Sequence, residues 1–427
     1  MHLKFSPARP SGFPAGGSDA DEHLSSLAVI TELIRRGRAA TRAELAKQTG
    51  YGLKLLAQRL DELESIDLIE RSELAPSTGG RAPRRLKFNR TAGEILVVEF
   101  NVTKIAAGIC DLAGDLLVSR EEPADVASSA DRSVEQAEAL LDELLRDRGP
   151  NRPPLWGIGV GILGPVDVES GRPIALPTMA TWQDYPIGER LSKRFGLPVW
   201  MDNNVNLMAL SQVRRPDAHV TPELVYIELG AGGMGAGLIS GGRIIRGKNG
   251  CAGELGHVVV TDDESVTCWC GNTGCLTQLA GGRAVVRAAA AMAKPHAGGS
   301  GVSASGLAVS SLTVSDVAAA ARDGDPASIE IVSGAGRMIG KASAALITLL
   351  NPAVVVFGGE LSRAGDALLA PLRESIYRYG LPMATRALRI ELAESSDNAC
   401  LVGAGELAID ALLSPSGLGA LLESPNV

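Results

Sequence analysis

Gly253-Glu254-Leu255-Gly256-His257 and, after ten intervening residues, Cys268-Trp269-Cys270-Gly271-Asn272-Thr273-Gly274-Cys275 form the stretch on which the reading of this chain turns. Three of the six cysteines fall within eight residues, and one of only five histidines lies just upstream. In a reducing compartment such clustering points to a metal rather than to disulfides. Zinc prefers four tetrahedral sulfur or nitrogen ligands, and His257, Cys268, Cys270 and Cys275 supply that set. A closed set has no position for a catalytic water, so structural Zn2+ is expected, shaping the loop. If the stretch is helical, Glu254 lies one turn before His257, so the same metal can fix the direction of its carboxylate. A carboxylate accepts hydrogen bonds and suits recognition of vicinal hydroxyls. Cys110, Cys251 and Cys400 are isolated and are expected to be buried thiols.

Outward from this loop, apolar strands alternate with helices. Ile95 to Glu99, Ile105 to Cys110, Leu116 to Arg120 and Trp156 to Ile162 read as strands, with a helix from a Ser133/Gln136 capping pair to Arg148. A strand end at Val199 to Asp202 feeds a helix at Val205 to Gln212. A second round begins at Leu224 to Glu228 and Gly235 to Ile239, and closes with Ala-rich helices and the strand Val354 to Phe357. Two such rounds predict an α/β body of two lobes around a cleft, with ligands at the carboxyl ends of the strands.

The first ninety residues follow another pattern. Leu24, Leu27, Ile30 and Ile34 make one helical face. Thr41, followed by Glu44, has capping-box spacing for a short helix that Gly50 ends. Leu53, Leu56, Leu60 and Leu63 then mark a third helix. Ile66 to Glu70 and Leu86 to Phe88 read as strands around the basic, glycine-rich segment 77–85. Three short helices and a basic hairpin predict a winged helix-turn-helix whose third helix enters the major groove of DNA. Lys54, Gln58 and Arg59 are the candidate groove contacts, and Arg81, Arg84 and Arg85 the candidates for phosphates or the minor groove. Residues 1–90 hold 15 Lys and Arg against 11 Asp and Glu, while the rest hold 26 against 38. A net +4 part joined to a net −12 part fits a chain of which only the first part meets a polyanion.

These segments together resemble the ROK family, named for repressors, open reading frames and kinases, and the histidine and cysteine stretch looks like its signature. The resemblance implies an actin-like, hexokinase-like two-lobed body, and the winged helix resembles the regulator branch. It also implies that Glu254, the metal-bound His257, Asn203 and the position of Asn204 contact the sugar, under a turn containing Gly164, Pro165 and Val166. Where the family carries an Asp as general base, this chain has Asn204, an amide that cannot take a proton at neutral pH. Where the family has Gly-Gly in its first phosphate loop, it has Asn101 and Val102, and a β-branched residue hinders close approach of backbone to phosphate. Thr277 and Thr178 stand where the family has Glu and Asn.

The expected organisation is a tail at 1–20, a DNA-binding domain at 21–90, a sugar-kinase-like body at 91–412 with lobes of about 91–215 and 216–412, and a tail at 413–427. The expected function is a cytoplasmic, homo-oligomeric (dimer or tetramer), sugar-responsive regulator without kinase activity, most simply a repressor, with operator DNA and a sugar or sugar phosphate as partners. No apolar run reaches the roughly 18 residues of a membrane helix. Two alternatives stay open: a constitutive DNA-binding protein whose degenerate body only oligomerises, and a working sugar kinase with an added domain.

Overall fold

The computed structural model describes residues 19–74, 84–167, 170–174, 177–214, 221–292, 312–394 and 398–423. They fall into two units, Met1–Gly93 with Ile409–Val427, and Glu94–Ala408. In the first, helices α1 (Asp19–Arg35), α2 (Arg42–Thr49) and α3 (Leu53–Ser65) precede a hairpin of β1 (Ile69–Leu74) and β2 (Arg84–Phe88). The Thr41 hydroxyl accepts from the Glu44 amide, and Gly50 closes α2 at φ 73°. Leu27, Ile30 and Ile34 of α1 are buried, as are Leu45, Leu56, Leu60 and Leu63. Burying these faces against one another stabilises helices too short to persist alone. Leu53 is 62% exposed, because it is the first residue of α3 and precedes the turn that packs. The first strand starts at Ile69 rather than Ile66, since Ile66 ends α3 and Asp67 turns the chain at φ 56°.

The second unit holds two five-stranded sheets. The first contains β3 (Glu94–Phe100), β4 (Lys104–Asp111), β5 (Leu116–Pro123), β6 (Leu155–Ile162) and, after a small hairpin of β7 (Val166–Asp167) and β8 (Arg172–Pro173), β9 (Val199–Asn203), in the order β5-β4-β3-β6-β9. Helix α4 (Ala130–Arg148) covers it, α5 (Ile187–Phe195) follows, and α6 (Asn204–Arg214) leaves β9. Ser129, not Ser133, caps α4, accepting from the Arg132 amide, while the Ser133 hydroxyl bonds back to the Ser129 carbonyl. The second sheet contains β10 (Leu224–Gly230), β11 (Gly233–Ser240), β12 (Arg243–Ile244), β13 (Val354–Gly358) and β14 (Arg389–Leu392), in the order β12-β11-β10-β13-β14. Both sheets repeat one plan, an antiparallel meander continued by two parallel strands. Among the described residues, the α-helices between β12 and β14 are α7 (Leu276–Ala280), α8 (Gly282–Met292), α9 (Val314–Arg322), α10 (Pro326–Leu350), α11 (Asp366–Tyr379) and α12 (Pro382–Thr385). The interior strands β3 and β13 are buried at every position; β13 is apolar throughout up to its final glycine, whereas β3 also buries Glu94 and Glu99.

The lobe boundaries differ from the expected ones. Helix α6 packs Val205, Met208 and Ala209 against Tyr226, Ile239 and Val354 of the second sheet. Helix α13 (Ala399–Leu412) packs on the first, where a Cβ on Gly159 would lie 2.1 Å from the Ala404 carbonyl oxygen. Only glycine permits that approach. The stretch expected as a tail at 413–427 contains a helix, α14 (Pro415–Glu423), whose Leu418 is buried, and a Cβ on Gly419 would touch Leu24 of α1. A short apolar segment forms a helix when a neighbouring face buries it. No single helix among the described residues is long and apolar enough to cross a membrane.

Candidate functional site: a strand-end cavity and a cysteine cluster

A cavity of about 450 Å³ lies at the strand ends of the second unit. Gly164, Asn203, Asn204, Glu254 and His257, all singled out from the sequence, border it together. Glu254 follows Gly253, which takes φ 98° and has no room for a side chain, its Cβ position being 1.8 Å from the Ala236 carbonyl oxygen. A 3-10 turn, Leu255–His257, comes next in place of an α-helical turn. Burial raises the pKa of Glu254. Asn203 caps α6, its side-chain oxygen accepting from the Val205 amide at 2.8 Å. The neighbouring Asp202 is buried and spends its carboxylate on Arg246 at 2.6 Å and Asn206 at 2.8 Å, so it is no candidate base.

Asn204 is buried, and its amide is committed. The Nδ2 group donates to the Phe100 carbonyl at 2.9 Å, and the Cys400 thiol donates to Oδ1 at 3.4 Å. Beside it, the Val102 amide donates to Asn101 Oδ1 at 2.7 Å, while Asn101 Nδ2 donates to Glu99 at 3.0 Å. Val102 Cγ2 lies 2.5 Å from where a Cβ on Gly232 would stand, so it abuts the glycine-rich turn Gly230–Gly235. In that turn the Ala231 amide donates to Glu360 Oε2 at 2.6 Å. The Tyr226 hydroxyl donates to Glu228 at 3.1 Å. Burial pushes Glu228 up to about 7, with Glu360 and Glu99 adding to the push, and burial raises Glu99 as well. The Val102 and Ala231 amides, one in each turn, are thus engaged by the protein's own acceptors, among several carboxylates. The sequence reading missed Glu228 and Glu360. A glutamate inside the apolar strand Leu224–Gly230 was the available signal.

The ligand atoms of His257, Cys268, Cys270 and Cys275 all lie within 4.8 Å of one another. Cys268 Sγ is 3.6 Å from His257 Nδ1, and Cys270 Sγ is 3.7 Å from Cys275 Sγ. Tetrahedral zinc with bonds of about 2.3 Å sets its sulfurs roughly 3.8 Å apart, so this group can hold a metal ion with little adjustment. The loop is folded for it by local bonds, the Cys268 amide to the Asn272 carbonyl at 2.8 Å and the Gly271 amide to the Cys268 carbonyl at 3.0 Å. Gln278 Nε2 donates to Cys268 Sγ at 3.6 Å, and the Trp269 ring meets His257 edge-on with centroids 4.5 Å apart. Thr277, two residues after the last cysteine, is buried at the cavity wall. Of the remaining cysteines, Cys110 and Cys400 are buried, but Cys251 is exposed, because it lies in a turn between Gly250 and Gly253 rather than in an element.

Residues 95–411 match the ROK family. The chain belongs to the ROK family. It is 27% identical to a xylose repressor of Caldicellulosiruptor bescii over 90% of this chain and 96% of that protein. It is 24% identical to the DNA-binding transcriptional repressor Mlc of Escherichia coli over 92% and 95%. A glucokinase of Halalkalibacterium halodurans is 30% identical over 93% of its own length but only 73% of this chain. Among solved structures, a ROK family transcriptional regulator described as a homologue of the E. coli protein superposes with a TM-score of 0.80 at 23% identity, covering 94% of this chain and 99% of that one, and shows a shared fold.

The ROK match begins at residue 95, so the winged unit lies outside it. There Lys54 and Gln58 stand exposed one turn apart on α3. Arg59 does not join them. Its Nε donates to Ser26 Oγ at 2.8 Å and its NH1 to Glu62 at 2.9 Å, so it ties α3 to α1, with its side chain 15% exposed. Adjacent helical residues point about 100° apart, which is why Gln58 faces out and Arg59 does not. Arg85 is exposed on β2, opposite Ser72 of β1. Arg81 and the side chains of Arg84 and Thr178 lie outside the described residues.

Proposed function

We propose that this ROK protein is a sugar-responsive, DNA-binding transcriptional repressor that has lost kinase chemistry. The observation that carries the proposal is the Glu360 carboxylate on the Ala231 amide, with Val102 against Gly232: the cleft keeps groups suited to a sugar and has closed the turns a nucleotide would need. The repressors that resemble the chain also align with it over nine-tenths of its length. The sugar is held by Asn203, Glu254 and His257. Its hydroxyls donate to the Glu254 carboxylate, and Gly164 covers it. Asn204 stands where the kinases need a base, and its amide is spent on Phe100 and Cys400, so no proton is taken from the bound hydroxyl. Zn2+ fits the donor set of three thiolates and one imidazole and belongs to His257, Cys268, Cys270 and Cys275. When bound it supplies a fixed loop, not a reaction, since all four positions are filled by protein. With Nδ1 turned to the thiols, Nε2–H of His257 is the ring donor left for the ligand. Lys54 and Gln58 read the major groove, and the basic wing meets phosphates.

The test pairs two measurements on the full chain. A coupled assay with ATP and a panel of sugars is expected to show no sugar-dependent turnover. Duplexes selected from a random library are expected to bind, and the best sugar of the panel is expected to weaken that binding in wild type but not in Glu254→Ala. Turnover above background, or DNA affinity indifferent to every sugar, overturns the proposal. Thr277 in place of the family's Glu favours one second reading, a constitutive DNA-binding protein, and indifference to sugar is its signature.

A further inference from the structure

We infer that the cavity selects a neutral saccharide against its phosphate ester, and that Glu360 and Glu228 are the residues that make the choice. The inference rests on the sugar-binding reading and names the ligand class of that site. A saccharide seated on Asn203, Glu254 and His257 leaves the rest of the cavity for whatever substituent it carries. A phosphate there needs backbone amides and cations. One amide in each of the two turns beside Asn204 is already engaged, Val102 N by Asn101 at 2.7 Å and Ala231 N by Glu360 at 2.6 Å.

The charges at this end point the same way. Glu99, Glu228 and Glu360 border the cavity, with Glu254 and Glu394, against Lys104, Arg283 and Arg363. Lys104 is drawn to Glu121, its Nζ 2.5 Å from the carboxylate. Glu228 and Glu360 are close neighbours across the turn: a Cβ placed on Gly230 would lie 3.2 Å from Glu228 Oε1 and 3.6 Å from Glu360 Oε2. A phosphate dianion entering here loses its water and meets more carboxylates than cations, and the Val102 and Ala231 amides reach it only if their present acceptors are displaced. A neutral hydroxyl meets no such penalty, because carboxylates accept from it.

Calorimetric titration of the full chain with glucose, mannose, xylose and N-acetylglucosamine, and with glucose 6-phosphate, mannose 6-phosphate and N-acetylglucosamine 6-phosphate, tests the inference. Wild type is expected to bind at least one neutral sugar ten-fold or more tighter than its 6-phosphate. In Glu360→Ala, which frees the Ala231 amide, and in Glu228→Gln/Glu360→Gln, which removes charge and keeps side-chain size, that ratio is expected to fall at least five-fold while the neutral sugar binds within about three-fold of wild type. A 6-phosphate bound as tightly as its parent sugar by wild type overturns the inference and leaves the sugar-binding reading standing. A preference for the neutral sugar that neither variant reduces also overturns it, since the choice is then made elsewhere. Binding of none of the seven compounds overturns the sugar-binding reading, and the inference falls with it.

Discussion

Asn204 shows how much one amide can settle. Its Nδ2 donates to the Phe100 carbonyl, and an aspartate in its place would set a buried carboxylate against that carbonyl. Asn204→Asp is therefore expected to destabilise by about 1–3 kcal/mol, in line with a buried hydrogen bond lost and an acceptor left unpaired. It is also expected to leave ATP turnover undetectable, because Val102 and Glu360 still close the turns. Chemical denaturation and a coupled ATP assay check the two halves, and turnover restored by this single change would refute the account of the closed phosphate end. Glu228 gives a pH signature. Its folded pKa of about 7 stands above the unfolded carboxylate value, so the stability it lends is full below about pH 4.5 and is lost as the pH rises toward 7. Glu228→Gln is expected to raise the melting temperature by roughly 2 °C or more at pH 8.5 and to give no gain at pH 4.5. A gain equal at both pH values would mean that Glu228 is not held at a raised pKa.

At the scale of elements, the loop from His257 to Cys275 is tied by bonds of its own, among them Val260 N to the Gly274 carbonyl at 2.9 Å and Gly274 N to the Val266 carbonyl at 2.7 Å, and a metal on the four ligands would add a cross-link to these. Protein purified without chelator is expected to carry about one zinc per chain, and Cys270→Ser to lower both the metal content and the melting temperature. Elemental analysis with a thermal melt decides it, and metal-free protein with unchanged melting removes zinc from the account. Helix α3 offers a contrast between neighbours. Gln58→Ala is expected to relax the sequence preference of DNA binding with the fold unchanged, whereas Arg59→Ala is expected to cost stability by breaking the tie to Ser26 and Glu62. Equal effects of the two on stability would contradict the placement of Arg59.

For the whole molecule, a sugar that weakens DNA binding by some factor must have its own affinity weakened by operator DNA by that same factor, with typical couplings of about 1–3 kcal/mol. Titrating the best sugar into the chain with and without its selected duplex measures this directly, and unequal factors would show that the two ligands do not compete through one equilibrium. What the sequence determined by itself was whatever local chemistry writes: the cluster of His257, Cys268, Cys270 and Cys275 that could hold a metal ion, because thiolate and imidazole spacing is a coordination pattern; the helices and strands, because apolar period and caps are short-range; the wing's basic character, because charge is composition. The amide at 204 was also plain, as a residue type. What only the tertiary structure decided depends on residues distant in the chain. Glu360 reaches Ala231 across 129 positions and Cys400 reaches Asn204 across 196, and no periodicity records such a pairing. The crossing of α6 onto the second sheet and α13 onto the first, the helix Pro415–Glu423 read as a tail, and the inward turn of Arg59 share that cause: each is set by which surface lies opposite, and the opposing surface is supplied by the fold.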